Sequence, residues 1–145
     1  MSDEARTLTD VVTRLRRALR TSIRSEWPWD ALPMARVELL QTLAERPPMR
    51  VGDLASELRL APNTVSGLVG QLIESGLVER GGDPADRRVA RLSVTPKGHE
   101  QLAVWQAAHE KRIGSALDKL EPGERADVVR ALAALDRLVD HLRDH

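Results

Sequence analysis

The spacing of apolar residues predicts four helices in the first half of the chain. The first has an apolar position every third or fourth residue, at Leu8, Val12, Leu15, Leu19 and Ile23. The second starts at Pro33, a residue suited to a first helical turn, and its predicted apolar face is Val37, Leu40 and Ala44. A short third helix over residues 53–58 buries Leu54, Ala55 and Leu58. The fourth runs from about Asn63 to Ser75 and has a regular stripe of Val65, Leu68, Val69, Leu72 and Ile73.

The second half of the chain predicts a β-hairpin and two long helices. Residues 77–80 and 89–95 are typical of two short strands around a turn at 81–86, and the alternation leaves the register of the second strand open. Thr95-Pro96 is a strong helix start, because a capping hydroxyl precedes a proline. The fifth helix extends to about Leu120, with one face formed by Leu102, Trp105, His109, Ile113, Ala116 and Leu120. The sixth starts at Glu121-Pro122 and has a heptad seam of Val128, Leu132, Leu135, Val139 and Leu142.

The terminal helices carry more apolar surface than the middle of the chain can cover. We therefore expect one structural domain with three parts: a dimerisation helix and connector (1–30), a compact lobe (31–98) and two further dimerisation helices (99–145). Exposed apolar seams are unfavourable, so the simplest solution is a two-fold dimer with interlocking terminal helices. The alternative is a monomeric bundle of the first, fifth and sixth helices.

Composition excludes several classes of protein. The 145 residues contain 22 Lys+Arg and 22 Asp+Glu, so any nucleic-acid-binding surface must be local. There is no cysteine, which excludes disulfides and thiolate chemistry, and three Trp without Phe or Tyr cannot form a base-stacking platform. The acidic start resembles no signal peptide, and no apolar run reaches the roughly 18 residues of a membrane span. We expect a cytoplasmic protein that is not bound to a membrane.

The third and fourth helices, followed by the hairpin, have the order of a winged helix-turn-helix. The predicted outer face of the fourth helix is short and polar, and consists of Asn63, Thr64, Ser66, Gly67, Gly70 and Gln71. Short side chains let a helix approach base edges in the major groove, where Asn and Gln pair with adenine. The alternative is an ordinary amphipathic helix with a neutral solvent face, although such faces usually carry Lys and Glu.

The hairpin supplies positive charge. From residue 80 to 97, five basic residues face two acidic ones: Arg80, Arg87, Arg88, Arg91 and Lys97 against Asp83 and Asp86. Arg87 and Arg88 are predicted to reach the minor groove or its phosphates, while Arg80 and Arg91 hold the DNA backbone. Asp86 is predicted to fix the loop by binding Arg87 or Arg88. The alternative is a charged surface turn without function.

Five ordered motifs make the chain resemble the MarR family of bacterial winged helix-turn-helix regulators. They are Leu54-Ala55-x-x-Leu58, Asn63-Thr64-Val65-Ser66, Leu72-x-x-x-Gly76-Leu77-Val78-x-Arg80, Asp83-Pro84-x-Asp86-Arg87-Arg88 and Leu92-x-x-Thr95-Pro96-x-Gly98. The resemblance implies a mainly α fold with a hairpin wing, an obligate homodimer, a pseudo-palindromic operator in double-stranded DNA, and a small aromatic or anionic effector that releases DNA. It implies a repressor and no cofactor.

Three residues depart from the family pattern. Arg59 stands where the family commonly has a turn glycine, so it must either adopt an unusual backbone conformation or alter the turn. Ala61 stands where a capping serine is frequent, and losing that cap costs about 1 kcal/mol. Gly67 replaces a larger recognition-helix residue. Because these changes weaken the case for any particular base contact, a non-catalytic winged dimer that binds another protein is the alternative function.

Other candidate sites are weaker. Trp27, Trp29 and Arg36, with His109, could line a pocket for an anionic aromatic ligand, or the two Trp could fill the core. His141 and His145 are one helical turn apart but lack a third ligand, so we expect no metal site. No catalytic motif is present, so we expect no enzyme.

Overall fold

The computed structural model describes residues 2–24, 34–82, 85–86 and 88–144. These residues form α1 (Asp3–Arg24), α2 (Met34–Ala44), α3 (Val51–Leu58), α4 (Pro62–Glu74), β1 (Val78–Gly82), β2 (Ala90–Val94), α5 (Pro96–Asp118) and α6 (Pro122–Arg143). The predicted fold class, mainly helical with a two-stranded hairpin, is confirmed. The helix α1 begins five residues earlier than its apolar stripe. Asp3 and Glu4 favour the positive helix N-terminus, and the Ala5 amide donates to Ser2 Oγ at 3.2 Å.

One hydrophobic core holds α2, α3, α4 and the hairpin together. It consists of Leu39, Leu40, Leu43, Leu54, Ala55, Val65, Val69, Leu72, Leu77, Val78 and Leu92. The predicted stripe of α4 is confirmed at its three buried positions, while Leu68 and Ile73 pack against the core from partly exposed positions. The predicted face of α2 is wrong at Ala44, which is exposed as the last helical residue, and it missed the buried Leu39 and Leu43.

The hairpin is longer on its first side than predicted. Val78 pairs with Val94 and Gly82 with Ala90, so Gly81 and Gly82 belong to β1 and not to the turn. The sequence analysis also missed a contact with a third segment. The Met49 amide donates to the Leu92 carbonyl at 3.0 Å, and the Leu92 amide donates back at 2.7 Å. The residues before α3 are therefore hydrogen-bonded to the hairpin.

The residues that follow α3 and α4 include two with a positive φ angle, Arg59 and Gly76. Arg59 ends α3 in the left-handed region, with φ 55° and ψ 43°, which confirms the unusual conformation predicted for it. Ala61 precedes α4 without a side-chain capping bond, as predicted. Gly76 follows α4 with φ 77°, a conformation that glycine adopts without steric penalty.

The end of α4 and the start of α5 are joined by two side-chain hydrogen bonds, from Thr95 and Lys97. Thr95 Oγ1 donates to the Gly76 carbonyl at 2.6 Å and accepts the Gly98 amide at 3.0 Å, so the predicted capping hydroxyl is confirmed. Lys97 Nζ donates to the Ser75 carbonyl at 2.9 Å. A Cβ at Gly98 would lie 2.2 Å from the Leu77 carbonyl oxygen, so only glycine allows this close packing. These contacts fix the C-terminal end of α4.

The chain divides into two compact units. One runs from Ile23 to Ala108 and contains the core described above; the other combines α1 up to Ser22 with the residues from His109 onward. In the second unit, Arg112 Nη2 donates to the Ser22 carbonyl at 3.0 Å, and Glu121 and Glu124 form a capping box at the start of α6. None of the described helices is both long and apolar enough to cross a membrane.

Candidate nucleic-acid interface

The helix α4 exposes the polar face that the sequence analysis predicted. Val65, Val69 and Leu72 are fully buried and attach one side of the helix to the core. Because that side is fixed, the opposite side faces solvent along its whole length. The exposed residues are Asn63, Thr64, Ser66, Gly67, Gly70 and Gln71. The structure thus presents amides and hydroxyls, the groups that bind base edges and phosphates, on one rigid surface.

The two glycines of this face have no packing role among the described residues. A Cβ built at Gly67 or Gly70 would meet nothing within 4 Å. Each glycine inside a helix lowers helix stability by about 1 kcal/mol relative to alanine. The chain therefore keeps a destabilising residue where its own fold has room for a side chain.

The wing has an ion pair at its tip. The Arg88 amide donates to Asp86 Oδ1 at 3.0 Å, and Arg88 Nε and Nη2 donate to the same carboxylate at 3.2 and 3.4 Å. The side-chain bond from Arg88, followed by its backbone bond, holds the pKa of Asp86 below its ordinary value of 3.8. The Arg88 side chain is still 91% exposed, so it is oriented without being withdrawn from solvent. Arg87 lies outside the described residues.

The remaining predicted wing residues lie nearer the base of the hairpin. Arg80 is exposed on β1, opposite Leu92. Arg91 is partly buried, and its Nη1 donates to the Pro48 carbonyl at 3.2 Å, so it joins the hairpin to the segment before α3. The sequence analysis missed Arg50, whose positive charge also lowers the pKa of Asp86. The sequence feature that could have identified Arg50 is its position, as a basic residue directly before the first helix of the helix-turn-helix.

The described residues do not test the predicted effector pocket. Trp27 and Trp29 lie outside them, Arg36 belongs to one compact unit, and His109 belongs to the other. Arg36 is partly buried, and its Nε is a buried donor without a hydrogen-bond partner among the described contacts. The pocket stays a prediction.

Of the two C-terminal histidines, one lies among the described residues. His141 is exposed in the last turn of α6, and His145 lies outside the described residues. Across the part of the chain that the structure describes, no three His, Cys, Asp or Glu side chains form a metal-binding group.

The MarR family model matches residues 32–90, a stretch that ends at the first residue of β2. Over these residues, this chain is similar to the MarR family. A curated relative, the HTH-type transcriptional regulator Mb0904 of Mycobacterium bovis, is 27% identical over 135 residues, which is 93% of each chain. The chain is thus similar to DNA-binding transcriptional regulators of the helix-turn-helix type, a family that is not enzymatic.

Solved structures share this fold over nearly the whole chain. RV1404 of Mycobacterium tuberculosis is 22% identical, with a TM-score of 0.81, over 97% of both chains. FabT of Streptococcus pneumoniae, solved in complex with DNA, is 19% identical, with a TM-score of 0.72, over 97% of this chain and 99% of that one. BpsR of Bordetella bronchiseptica, whose DNA binding is regulated by 6-hydroxynicotinic acid, is 23% identical, with a TM-score of 0.61, over 88% and 91%.

Proposed function

We propose that this chain is a member of the MarR family and acts in the cytoplasm as a homodimer that binds a pseudo-palindromic operator and represses transcription from it. The observation that carries the proposal is the exposed polar face of α4, rigidly mounted beside a wing whose Arg88 is held by Asp86. A dimer would present this pair of elements twice, and two-fold protein symmetry corresponds to a pseudo-palindromic site.

In the major groove, Asn63 and Gln71 would pair with adenine edges. Thr64 and Ser66 would contact phosphates or thymine methyl groups, and Gly67 would let the backbone approach the DNA. In the wing, Arg88 and its neighbour Arg87 would enter the minor groove, where the potential is most negative. Arg80 and Arg91 would contribute to the positive field at the DNA backbone, Arg91 from a more buried position.

The homodimer is supported by apolar surface on the terminal helices. The described part of α6 has no buried residue, and its predicted seam is exposed, with Leu132 at 54% and Leu142 at 66%. Leu15 of α1 is 63% exposed. Burial of apolar surface contributes about 25 cal/mol per Å², so covering these helices with a second copy is favourable. The alternative of a monomeric bundle would have buried the α6 seam within one chain.

Release by a small aromatic or anionic effector is the second part of the proposal. It is supported by the regulation that BpsR shows with 6-hydroxynicotinic acid and by the unsatisfied Nε of Arg36, a donor suited to an anion. Trp27, Trp29 and His109 are the other residues proposed to line the pocket. A ligand that binds there would quench Trp fluorescence saturably and lower the affinity for DNA.

The first experiment is fluorescence anisotropy with the DNA immediately upstream of the coding region, compared with a mixed-sequence duplex at two salt concentrations. We expect binding to the upstream DNA that exceeds the mixed duplex by about a thousandfold and weakens steeply with salt. Absence of binding to both DNAs at low salt would contradict the proposal and favour a winged dimer that binds another protein.

A further inference from the structure

The segment before α3 is part of the same surface as the wing. Met49 exchanges two backbone hydrogen bonds with Leu92 of β2, and Arg91 Nη1 reaches the Pro48 carbonyl. Arg50 is the next residue, and it is also the extended residue that precedes α3, with φ −76° and ψ 152°. Its backbone is therefore fixed on one side by the hairpin and on the other by the first turn of α3.

The charges around this segment do not cancel. Among the described residues of this segment (47–50) and of the second side of the hairpin (85–86 and 88–94), the charged residues are Arg50, Arg88 and Arg91 against Asp86. Asp53 follows in the first turn of α3. Arg50 is exposed and lies close enough to Asp86 to favour its ionised form. A guanidinium has five N–H donors, and a bidentate contact with a carboxylate uses two of them. Contact with an acidic side chain thus leaves Arg50 able to bind a second anion.

We propose that Arg50 is a phosphate-binding residue that extends the contact of the wing with DNA to the start of α3. The inference rests on the proposed function, since the anion is a phosphate of the bound duplex. A phosphate contact is independent of base sequence, because every nucleotide carries the same phosphate group. Arg50 and Arg88, whose charges both act on Asp86, would then hold the DNA backbone as one cationic surface.

A purely structural role for Arg50 makes a different prediction. If Arg50 only organises Asp86, Arg50→Gln has no further effect on the salt dependence in an Asp86→Asn background, where Asp86 no longer holds the wing. The dependence of affinity on salt separates the two roles, because its slope counts the counterions released by phosphate contacts.

The test uses the full-length protein and a mixed-sequence duplex, with binding measured over a series of salt concentrations. For Arg50→Gln, we expect weaker binding. The negative slope of log K against log salt should become less steep by about 0.9 for each protomer bound. Arg50→Lys should keep the slope of the wild-type protein, because the positive charge remains. The matched control is Arg46→Gln, which removes the same charge from a residue that contacts Glu57 in the same lobe. Thermal unfolding of each variant verifies that it is folded.

The outcomes are distinguishable. A wild-type slope in Arg50→Gln, or an equal decrease in Arg46→Gln, would overturn the assignment of Arg50 while leaving the regulator intact. If the wild-type protein bound neither this duplex nor the upstream DNA, the proposed function itself would fail.

Discussion

At the scale of single residues, the wing depends on a contact between two exposed side chains. Exposed ion pairs contribute little to the free energy of unfolding, because water screens the charges and long side chains lose conformational freedom. The contact of Asp86 with Arg88 therefore matters for position. It restricts an arginine that would otherwise sample many rotamers, and under the proposed function this arginine contacts DNA.

Asp86→Asn should leave the thermal unfolding midpoint nearly unchanged while lowering the affinity for operator DNA. The Asn side chain can still accept the Arg88 amide, but it no longer attracts the guanidinium. The matched control is Asp127→Asn, which breaks another exposed ion pair, with Arg130 on α6. Equal affinity of Asp86→Asn and the wild-type protein would exclude a role for this contact in DNA binding.

The same contact should depend on pH. Because the pKa of Asp86 is lowered in the folded protein, the order that it gives the wing is present at neutral pH and is lost as the pH falls below 3.8 and through the folded-state pKa. Hydrogen exchange or NMR relaxation at the Arg88 amide measures this order. The wild-type amide should become more mobile in acid, whereas the amide in Asp86→Asn should show no such transition.

At the scale of elements, α4 combines a fully buried apolar side with an outer side on which the fold has room for larger side chains than the two glycines. The buried side and the contacts of Thr95 and Lys97 at its C-terminal end determine where the helix lies. The open space at Gly67 shows that the described chain does not need a glycine there. Stability and recognition can thus be changed separately in this helix.

Gly67→Ala should raise the free energy of unfolding by up to about 1 kcal/mol, because alanine favours the helix. The same methyl group would hinder close approach to DNA, so we expect weaker operator binding in a more stable protein. Chemical denaturation and anisotropy measure the two effects. Gly123→Ala, at another open helical glycine in α6, is the control and should leave DNA binding unchanged. Stronger operator binding by Gly67→Ala would disprove the close approach.

At the scale of the whole molecule, the two compact units differ in how much of their apolar surface is buried. The unit from Ile23 to Ala108 contains the buried core and can fold around it. The unit of terminal helices exposes its large apolar side chains, among them Leu135 and Val139. A second copy of the chain would cover them, so we expect dimerisation and the stability of these helices to be coupled.

Leu135→Asp should convert the dimer into a monomer and abolish tight operator binding, because a buried carboxylate in the seam is strongly unfavourable. Analytical ultracentrifugation measures the association state. Ala133→Asp adds the same charge on a different side of α6 and should remain dimeric. A Leu135→Asp variant that is still dimeric would contradict the proposed interface.

The sequence by itself determined the elements and much of the candidate interface. Helix stripes and the capping role of Thr95 depend on residues that are near neighbours in the chain, so local patterns reveal them. The left-handed conformation of Arg59 was an expectation from the family resemblance, since a glycine is common at that position. The exposed face of α4 follows from the same periodicity. The contact of Asp86 with Arg88 spans two residues and could be predicted for that reason.

Only the tertiary structure decided which distant segments meet. The bond from Arg91 to the Pro48 carbonyl joins residues 43 positions apart in the sequence, and the pairing of Met49 with Leu92 has the same sequence separation. No local pattern encodes such contacts, because they form only when α2, α3, α4 and the hairpin close around one core. That closure places Arg50 beside the wing and buries Leu39 and Leu43 of α2, on a side that its simplest stripe did not predict. Short-range physics specified the parts, and the shared burial of their apolar faces specified the surface that they form together.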